Sequence, residues 1–228
     1  MNRSQRFSLS RYVVMPKFHR VLPFVAVACL ATLGGCKALT VPQGLAEQST
    51  KMPVAKVDRG HMKFGEYEVH NIRRGWSKGG GISVGGLGAS KKSRDFSFLL
   101  ARGAESFTVT CKLQASSTSA GSITVDSSEQ VLCDMASGET PWKIVLVGQG
   151  NKSVSGRLQK GEREIQISPA HGGAFGPRGY YIREGQEVAA VDVSKKFRTV
   201  WLRTELEAEV SLALATAATA LMIYEEVA

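Results

Sequence analysis

Apolar and polar residues alternate along most of the chain after residue 64. In residues 107–113, for example, every second residue is Phe, Val, Cys or Leu, and the residues between them are Thr or Lys. When apolar residues recur at every second position of a strand, they all lie on one face and the residues between them lie on the other. Turn-forming Gly, Ser and Pro residues separate such segments, so the pattern predicts about eleven strands in an antiparallel barrel or sandwich. Ten of these segments are 96–100, 107–113, 123–125, 131–135, 142–146, 154–158, 165–167, 180–182, 188–193 and 197–202.

The pattern changes at the end of the chain, where residues 210–224 carry no charge and are rich in Ala and Leu. Both residue types favour helix. Thr204 and Glu207 fit a capping box, which predicts a helix over residues 205–223 with Thr204 as its N-cap. Glu225 and Glu226 oppose the negative end of the helix dipole, so we expect the last residues to fray.

A helix that is apolar on every side must be buried on every side. Fifteen residues span about 22 Å, which is short of a bilayer core of about 30 Å, so a membrane-spanning helix is the less favoured alternative. We therefore predict a mainly β fold over residues 62–228: a closed antiparallel barrel of about 11–12 strands around the helix. Thr216 and Thr219 would bond back to the preceding turn. A β-sandwich with a packed helix is the alternative.

The first 35 residues do not fit this pattern. Residues 1–20 contain five basic residues and no acidic one, and residues 21–33 are almost entirely apolar. A basic region followed by a short apolar region and small residues is typical of a secretory signal. We predict that residues 1–35 are removed, with either Met1 or Met15 as the true start.

The end of this segment, Leu33-Gly34-Gly35-Cys36, resembles the lipobox of bacterial lipoproteins. The resemblance implies that Cys36 becomes the first residue and carries diacylglycerol and a further acyl chain such as palmitate. Lys37 stands where an Asp would signal inner-membrane retention, which implies an outer-membrane anchor with the domain facing the periplasm. The alternatives are another extracytoplasmic membrane face, or an ordinary signal with a chance cysteine.

Residues 36–61 show no sustained period and contain Pro42, Gly44 and Pro53. We interpret them as a lipidated flexible tether. The signal segment contributes five of the 29 basic residues and none of the 20 acidic ones, so the remaining chain has a net charge of +4. Such a mild excess does not indicate a nucleic-acid partner, but it suits a protein near anionic lipid or polymer.

Two cysteines, Cys111 and Cys133, remain once Cys29 and Cys36 are set aside. Both fall on the apolar face of predicted strands, and an extracytoplasmic compartment is oxidising. We predict a disulfide between them, with two buried free thiols as the alternative.

A glycine-rich segment around residues 79–88 is predicted to be a flexible loop between strands. Basic residues border it and a tryptophan lies nearby, which is a composition that can contact lipid headgroups or an anionic polymer. A solvated loop without specific function is the alternative. The candidate contact residues are Arg73, Arg74, Trp76, Lys78, Lys91, Lys92 and Arg94.

Few residues suggest catalysis. Ser83 lies in a G-x-S-x-G sequence, but neither flank resembles the strand and helix of a nucleophile elbow. His61, His70 and His171 show no metal-ligand spacing, so no metal or cofactor is expected. Asp192 is expected either to face solvent or to cap a turn.

Residues 62–228 resemble the tubby-like barrel shared by tubby C-terminal domains and LURP-one-related proteins. The resemblance rests on the final apolar helix and on residues 179–185 (GYYIREG), 187–192 (EVAAVD) and 200–202 (VWL). It implies about twelve strands around one helix and carries over no binding residue. The expected function is a non-enzymatic binding or structural role at a membrane, in contact with lipid, an anionic polymer or an envelope protein. A hydrolase using Ser83 is the alternative.

Overall fold

The computed structural model describes residues 38–136, 141–149, 153–170 and 177–228. Within these ranges the chain forms fourteen β-strands and two α-helices. The helices are α1 (Gln43–Glu47) and α2 (Ala208–Val227). The strands are β1 (Ser49–Pro53), β2 (Ala55–Lys56), β3 (Met62–Phe64), β4 (Tyr67–Arg74), β5 (Lys78–Val84), β6 (Leu87–Arg102), β7 (Glu105–Ala120), β8 (Ile123–Ala136), β9 (Trp142–Gln149), β10 (Val154–Lys160), β11 (Arg163–Ala170), β12 (Gly179–Glu184), β13 (Gln186–Asp192) and β14 (Thr199–Arg203).

All the described strands belong to one antiparallel sheet that is nearly closed into a barrel. The strand order is β1-β14-β13-β12-β11-β10-β9-β8-β7-β6-β4-β3-β2, and β5 pairs with β6 beside this path. The predicted mainly β, antiparallel barrel with an apolar C-terminal helix is therefore confirmed. The sheet has more strands than expected because β1, β2 and β5 arise from segments that were predicted to be a tether and a loop.

Residues predicted to form the flexible tether are part of the fold. In the described part of that segment, β1 pairs with β14 over five residues, and Leu45 and Met52 are buried. The tether prediction is therefore wrong for residues 43–56. Its apolar residues are too sparse to show a period, yet each fills a place against strands that come from the far end of the chain. Cys36 itself lies outside the described residues.

The same segment brings the two edges of the sheet together. Strand β1 lies at one edge beside β14, and β2 lies at the other edge beside β3. Only Val54 separates these two strands in the sequence, and its N–H donates to the carbonyl of Arg198. The chain itself thus links the first and last strands of the barrel.

Helix α2 is enclosed by the sheet. Every residue from Leu212 to Tyr224 is buried, and the helix contacts strands far apart in the sheet order, namely β4, β7, β13 and β14. By length and composition it could cross a membrane, but most of it is buried inside the protein. The hydroxyls of Thr216 and Thr219 donate to the carbonyls four residues earlier, as predicted.

The two ends of α2 differ from the prediction. The helix begins three residues later than expected, with Glu207 as N-cap and without a side-chain capping bond. Thr204 does not cap it, because its N–H and hydroxyl donate to the carbonyl of Gln48 beside β1. A contact with a distant segment has replaced the local capping box.

The C-terminal turn of α2 is ordered to Val227, so the predicted fraying is wrong. Glu226 accepts hydrogen bonds from Arg74 and Arg198, and Arg94 donates to the carbonyl of Val227. These guanidinium groups neutralise the negative end of the helix dipole and the acidic side chain together. They come from β4, β6 and the segment before β14, which local sequence cannot bring together.

The predicted disulfide between Cys111 and Cys133 is present. The two residues lie directly opposite each other on β7 and β8, and both are buried in the core. Their separation of 22 residues closes a loop that contains the outer halves of both strands. On the loop-entropy argument such a link stabilises the fold by about 3 kcal/mol.

Candidate functional site

Strands β6, β7 and β8 continue well past the barrel core and, together with β5, form a projecting sheet, which we call the arm. It comprises all of β5 and residues 87–95, 114–120 and 123–130 of β6, β7 and β8. None of these residues is buried, whereas the inner halves of β6, β7 and β8 bury every second side chain. At about 3.3 Å per residue, the nine residues of β6 extend the sheet by about 30 Å.

The arm replaces the flexible loop predicted around residues 79–88. Residues of β5 pair in register with β6 from Lys78↔Ser93 to Val84↔Leu87. Gly85 and Gly86 connect the strands with φ values of 60° and 85°, which a two-residue type I′ hairpin turn requires. The glycines therefore mark a tight turn in a sheet.

Ser83 lies within this hairpin, opposite Gly88. A nucleophile elbow needs a sharp turn from a strand into a helix. Here the serine is an exposed residue of an edge strand, and no described side chain hydrogen-bonds to its hydroxyl. The geometry of an elbow is therefore missing at Ser83.

Large aliphatic side chains are exposed at the end of the arm. Val84 lies opposite Leu87, Leu87 opposite Ala120, and Ala120 opposite Ile123, so these four residues form one row across the strands. Directly opposed residues point to the same face of a sheet. Five side chains here are 67–75% exposed, and we call them the apolar tip: Ile82, Val84, Leu87, Ile123 and Val125.

The apolar row lies on the outer face of the sheet. Phe96 and Phe98 of β6 are buried in the core, and Leu87 is an odd number of residues away from both. Because successive side chains alternate, Leu87 must face away from the barrel interior. Lys91 lies four residues after Leu87, an even number, and therefore shares this outer face.

The seven predicted contact residues separate into two groups. Arg74 and Arg94 are used by the fold, because they bind the C-terminal turn of α2. The other five are exposed and have no ion pair among the described residues: Arg73, Trp76, Lys78, Lys91 and Lys92. The prediction that all seven residues border one basic loop is therefore wrong.

Of the exposed group, Lys78 and Lys91 lie on the outer face with the apolar tip. Lys78 lies six residues before Val84 on β5, an even number, so both side chains point to the same face. Strand β5 pairs with β6 without a register shift. Lys92 lies on the opposite face. Trp76, which is 92% exposed, and Arg73 lie near the base of the arm. The outer face thus combines aliphatic side chains at its end with lysines behind them.

The beginning of the described chain is fixed by a buried carboxylate. Asp192 is fully buried and accepts hydrogen bonds from the N–H groups of Leu39 and Ser194, at 2.7 and 2.9 Å. Of the two roles expected for Asp192, capping is the one observed. It ties the first described residues to the end of β13.

This attachment lies at the end of the barrel from which the arm projects. Asp192 pairs with Gly179 at the start of β12, and the next residue, Tyr180, donates its hydroxyl to Glu225 in the last turn of α2. Arg94 at the base of the arm binds the same turn. Leu39 and the arm are therefore both beside the C-terminal end of α2.

Two histidines that the sequence places nine residues apart are neighbours in space. The rings of His61 and His70 have centroids 4.5 Å apart, and Glu68 lies beside them. His171 lies outside the described residues. The sequence carried a signal for this pairing, since His61 and His70 are equally distant from the two-residue turn Gly65-Glu66, but metal-spacing rules for helices and loops do not include such hairpins.

Sequence reasoning also missed the apolar tip. Ile123 and Val125 alternate in the same way as core residues, and Ile82 and Val84 lie among glycines. The pattern gives the face of a strand but not whether anything covers that face.

Comparison with protein-family models, with curated protein sequences and with solved structures found no match to this chain.

Proposed function

We propose that the protein is a membrane-anchored envelope lipoprotein with a non-enzymatic role, and that its arm contacts the anionic lipid surface. The observation that carries the proposal is that four exposed residues of the apolar tip, Ile82, Val84, Leu87 and Ile123, lie on the same face as Lys78 and Lys91. Monomeric soluble proteins rarely leave such apolar patches uncovered unless the patch contacts a membrane or a partner.

A bilayer surface satisfies both parts of this face. Aliphatic side chains gain free energy when they leave water for the acyl boundary, at most about 1.5–3 kcal/mol each for full transfer. Lysines near an anionic surface each contribute about 1 kcal/mol. A protein partner would satisfy the apolar tip equally, but it would give no general reason for the lysines behind it.

The proposed lipid on Cys36 fits the same arrangement. Only Lys37 and Ala38 separate Cys36 from Leu39, which is hydrogen-bonded at the end of the barrel that carries the arm. An acyl chain on Cys36 would therefore hold this end close to the bilayer. Several acyl chains on Cys36 would already anchor the protein stably, and contact through the arm would orient the barrel at the surface.

The proposed location is the periplasmic side of the outer membrane, on the basis of Lys37 following Cys36. The resemblance to tubby-like barrels also remains a proposal. A sheet wrapped around one C-terminal helix supports it, but no binding residue is taken from that family.

Vesicle binding tests the role of the arm. A form beginning at residue 37, without the lipid, retains the compact unit of residues 37–228. We expect it to bind vesicles rich in anionic phospholipid, and to bind neutral vesicles more weakly. Replacing Lys78 and Lys91 by Ala should weaken binding about fivefold for each lysine at low salt. Leu87→Ser should weaken binding at low and high salt alike, because its contribution is not electrostatic.

The matched control replaces Lys112 and Lys143, two exposed lysines of β7 and β9 within the barrel wall. It removes the same charge away from the arm and should leave most of the binding intact. Equal losses in both double variants would show nonspecific attraction, and no binding at low salt would refute the proposed lipid contact.

A further inference from the structure

A cluster of potential metal ligands lies on the hairpin of β3 and β4. One nitrogen of His61, one nitrogen of His70 and one carboxylate oxygen of Glu68 all lie within 4.8 Å of one another. His70 Nε2 lies 3.4 Å from Glu68 Oε2. These three groups come from a part of the molecule separate from the arm, so the inference does not depend on the proposed function.

The hairpin places these side chains together on its outer face. Met62 pairs with Val69, and both are buried in the core. His61 precedes Met62 and His70 follows Val69, so the two histidines extend the same ladder by one pair and face outward. Glu68 is two residues before His70 and therefore shares its face.

The backbone around His61 is well held. Its carbonyl accepts hydrogen bonds from the N–H groups of Val57 and Asp58, at 3.0 and 3.3 Å. On the other strand, a β-bulge follows His70, where Asn71 has a φ of 54°. Bulges redirect side chains and are common beside functional sites. Both histidines are thus placed by backbone contacts that do not involve their rings.

His61 also has an unexplained polar atom. Its Nε2 is buried and has no hydrogen-bond partner. Leaving such a buried nitrogen unpaired costs about 1–3 kcal/mol. A metal ion bound by this nitrogen would remove that cost, because a neutral imidazole nitrogen is a good metal ligand.

The carboxylate oxygen of Glu68 that does not face His70 is held by a hydrogen bond. Lys63 Nζ donates to Glu68 Oε1 at 2.7 Å, and this leaves Oε2 facing His70. The hydrogen bond from Lys63 is also the main cause that lowers the pKa of Glu68 below its ordinary value. Groups that hold a ligand in this way commonly support metal sites.

We propose that His61, Glu68 and His70 bind a divalent transition-metal ion, with Zn²⁺ as the best match. Two imidazoles and one carboxylate are a common set of protein ligands for Zn²⁺, and the fourth position is then open to water or another small ligand. Ligands of a tetrahedral zinc ion with bonds of about 2.0–2.1 Å lie about 3.4 Å apart. The His70–Glu68 pair already has this spacing, and the His61 nitrogen, which lies within 4.8 Å of both, would move closer on metal binding.

Zinc binding to the full chain in mild detergent tests the site. Equilibrium dialysis against micromolar ZnCl₂, followed by metal analysis, should give a saturable site that contains one zinc ion for each chain. His61→Ala and His70→Ala should each lower its affinity at least a hundredfold, and Glu68→Gln should lower it about tenfold. Mg²⁺ and Ca²⁺ should not compete, since they prefer oxygen ligands.

Two variants serve as matched controls. Glu66→Gln changes an exposed glutamate in the adjacent turn, and His171→Ala removes another histidine; both should bind zinc like the unchanged chain. Because the three side chains lie outside the barrel core, their variants should not lower the melting temperature of the metal-free chain, while zinc should raise it only where the site is intact. The proposal is overturned if the intact chain shows no saturable zinc binding, or if the double variant His61→Ala/His70→Ala binds as tightly.

Discussion

Single charged residues hold the two ends of α2 in place. At the beginning of the helix, Glu209 accepts hydrogen bonds from Trp142 Nε1 at 2.9 Å and from Lys160. At the end, Glu226 lies between Arg74 and Arg198. Burial alone would raise the pKa of Glu226, but the hydrogen bonds from these two arginines lower it below its ordinary value. The carboxylate is therefore charged in the folded protein and contributes to its stability.

Glu226→Gln should destabilise the fold at neutral pH by about 1.5–3 kcal/mol, because it removes charge-assisted hydrogen bonds. A lowered pKa in the folded state means that this contribution is complete above the pKa of an unfolded glutamate, about 4.3. It is lost as the pH falls through the folded value. Urea unfolding should therefore show a larger difference in the free energy of unfolding between the two chains at pH 7 than at pH 3.

The matched control is Glu162→Gln, which changes an exposed glutamate with no ion pair among the described residues. It should alter the free energy of unfolding little at either pH. A Glu226→Gln effect of the same size at both pH values would contradict the assigned role of the charge.

At the scale of elements, α2 has no polar side, and its small residues set how closely the strands approach. Ala217 and Ala218 are fully buried, as are Ala213 and Ala215. A larger side chain at such a position meets packed neighbours and not solvent. The small size of the alanines therefore matters for packing, in addition to their helix propensity.

Ala217→Leu should destabilise the fold by about 1–3 kcal/mol through overpacking, although leucine is also a good helix former. Ala208→Leu, at the exposed first residue of the same helix, is the matched control and should be nearly neutral. Thermal or urea unfolding of both variants gives the comparison. Equal stability would mean that the helix is not surrounded by the sheet.

The arm is an element that keeps its strands without a core. Ser90 and Ser117 exchange a side-chain hydrogen bond of 2.8 Å across β6 and β7, and Ser116 and Ser128 exchange one of 2.7 Å across β7 and β8. The disulfide lies next to the buried pair Leu113 and Val131, beyond which the arm begins. Cross-strand polar pairs and a covalent link at the base replace the apolar packing that the barrel provides elsewhere.

At the scale of the whole molecule, the barrel depends on the segment that precedes it in sequence. Strand β1 covers the edge of β14, and Met52 of β1 is only 5% exposed within the main core. An uncovered edge would present unpaired N–H and C=O groups. Residues 49–53 are therefore required for the barrel and not merely for its attachment.

Met52→Ala should lower the free energy of unfolding by about 2–5 kcal/mol, as expected for a large side chain removed from a core. Lys51→Ala, its exposed neighbour, should change little. Urea unfolding distinguishes these outcomes from those of a tether, in which neither residue would matter. A neutral Met52→Ala variant would restore the interpretation of this segment as a tether.

Much of the barrel was predictable because its strands obey one local rule. Residues 107–113 and 131–135 alternate strictly, and this gave both the strands and the disulfide between Cys111 and Cys133. The candidate sites were less predictable. Alternation looks the same at Val109, which is buried in the barrel, and at Val125, which is exposed on the arm. His61 and His70 became neighbours only through the register of a hairpin.

The sequence by itself determined the strand periodicity, the buried helix, the disulfide and the prediction of a lipid anchor at Cys36. Each of these depends on neighbours within a few residues or on the chemistry of one residue type. The tertiary structure decided which strands extend beyond the core, where α2 ends, and that residues 43–56 belong to the fold. These features depend on contacts between residues more than a hundred positions apart, such as Arg74 with Glu226 and Leu39 with Asp192, and no local pattern records such contacts.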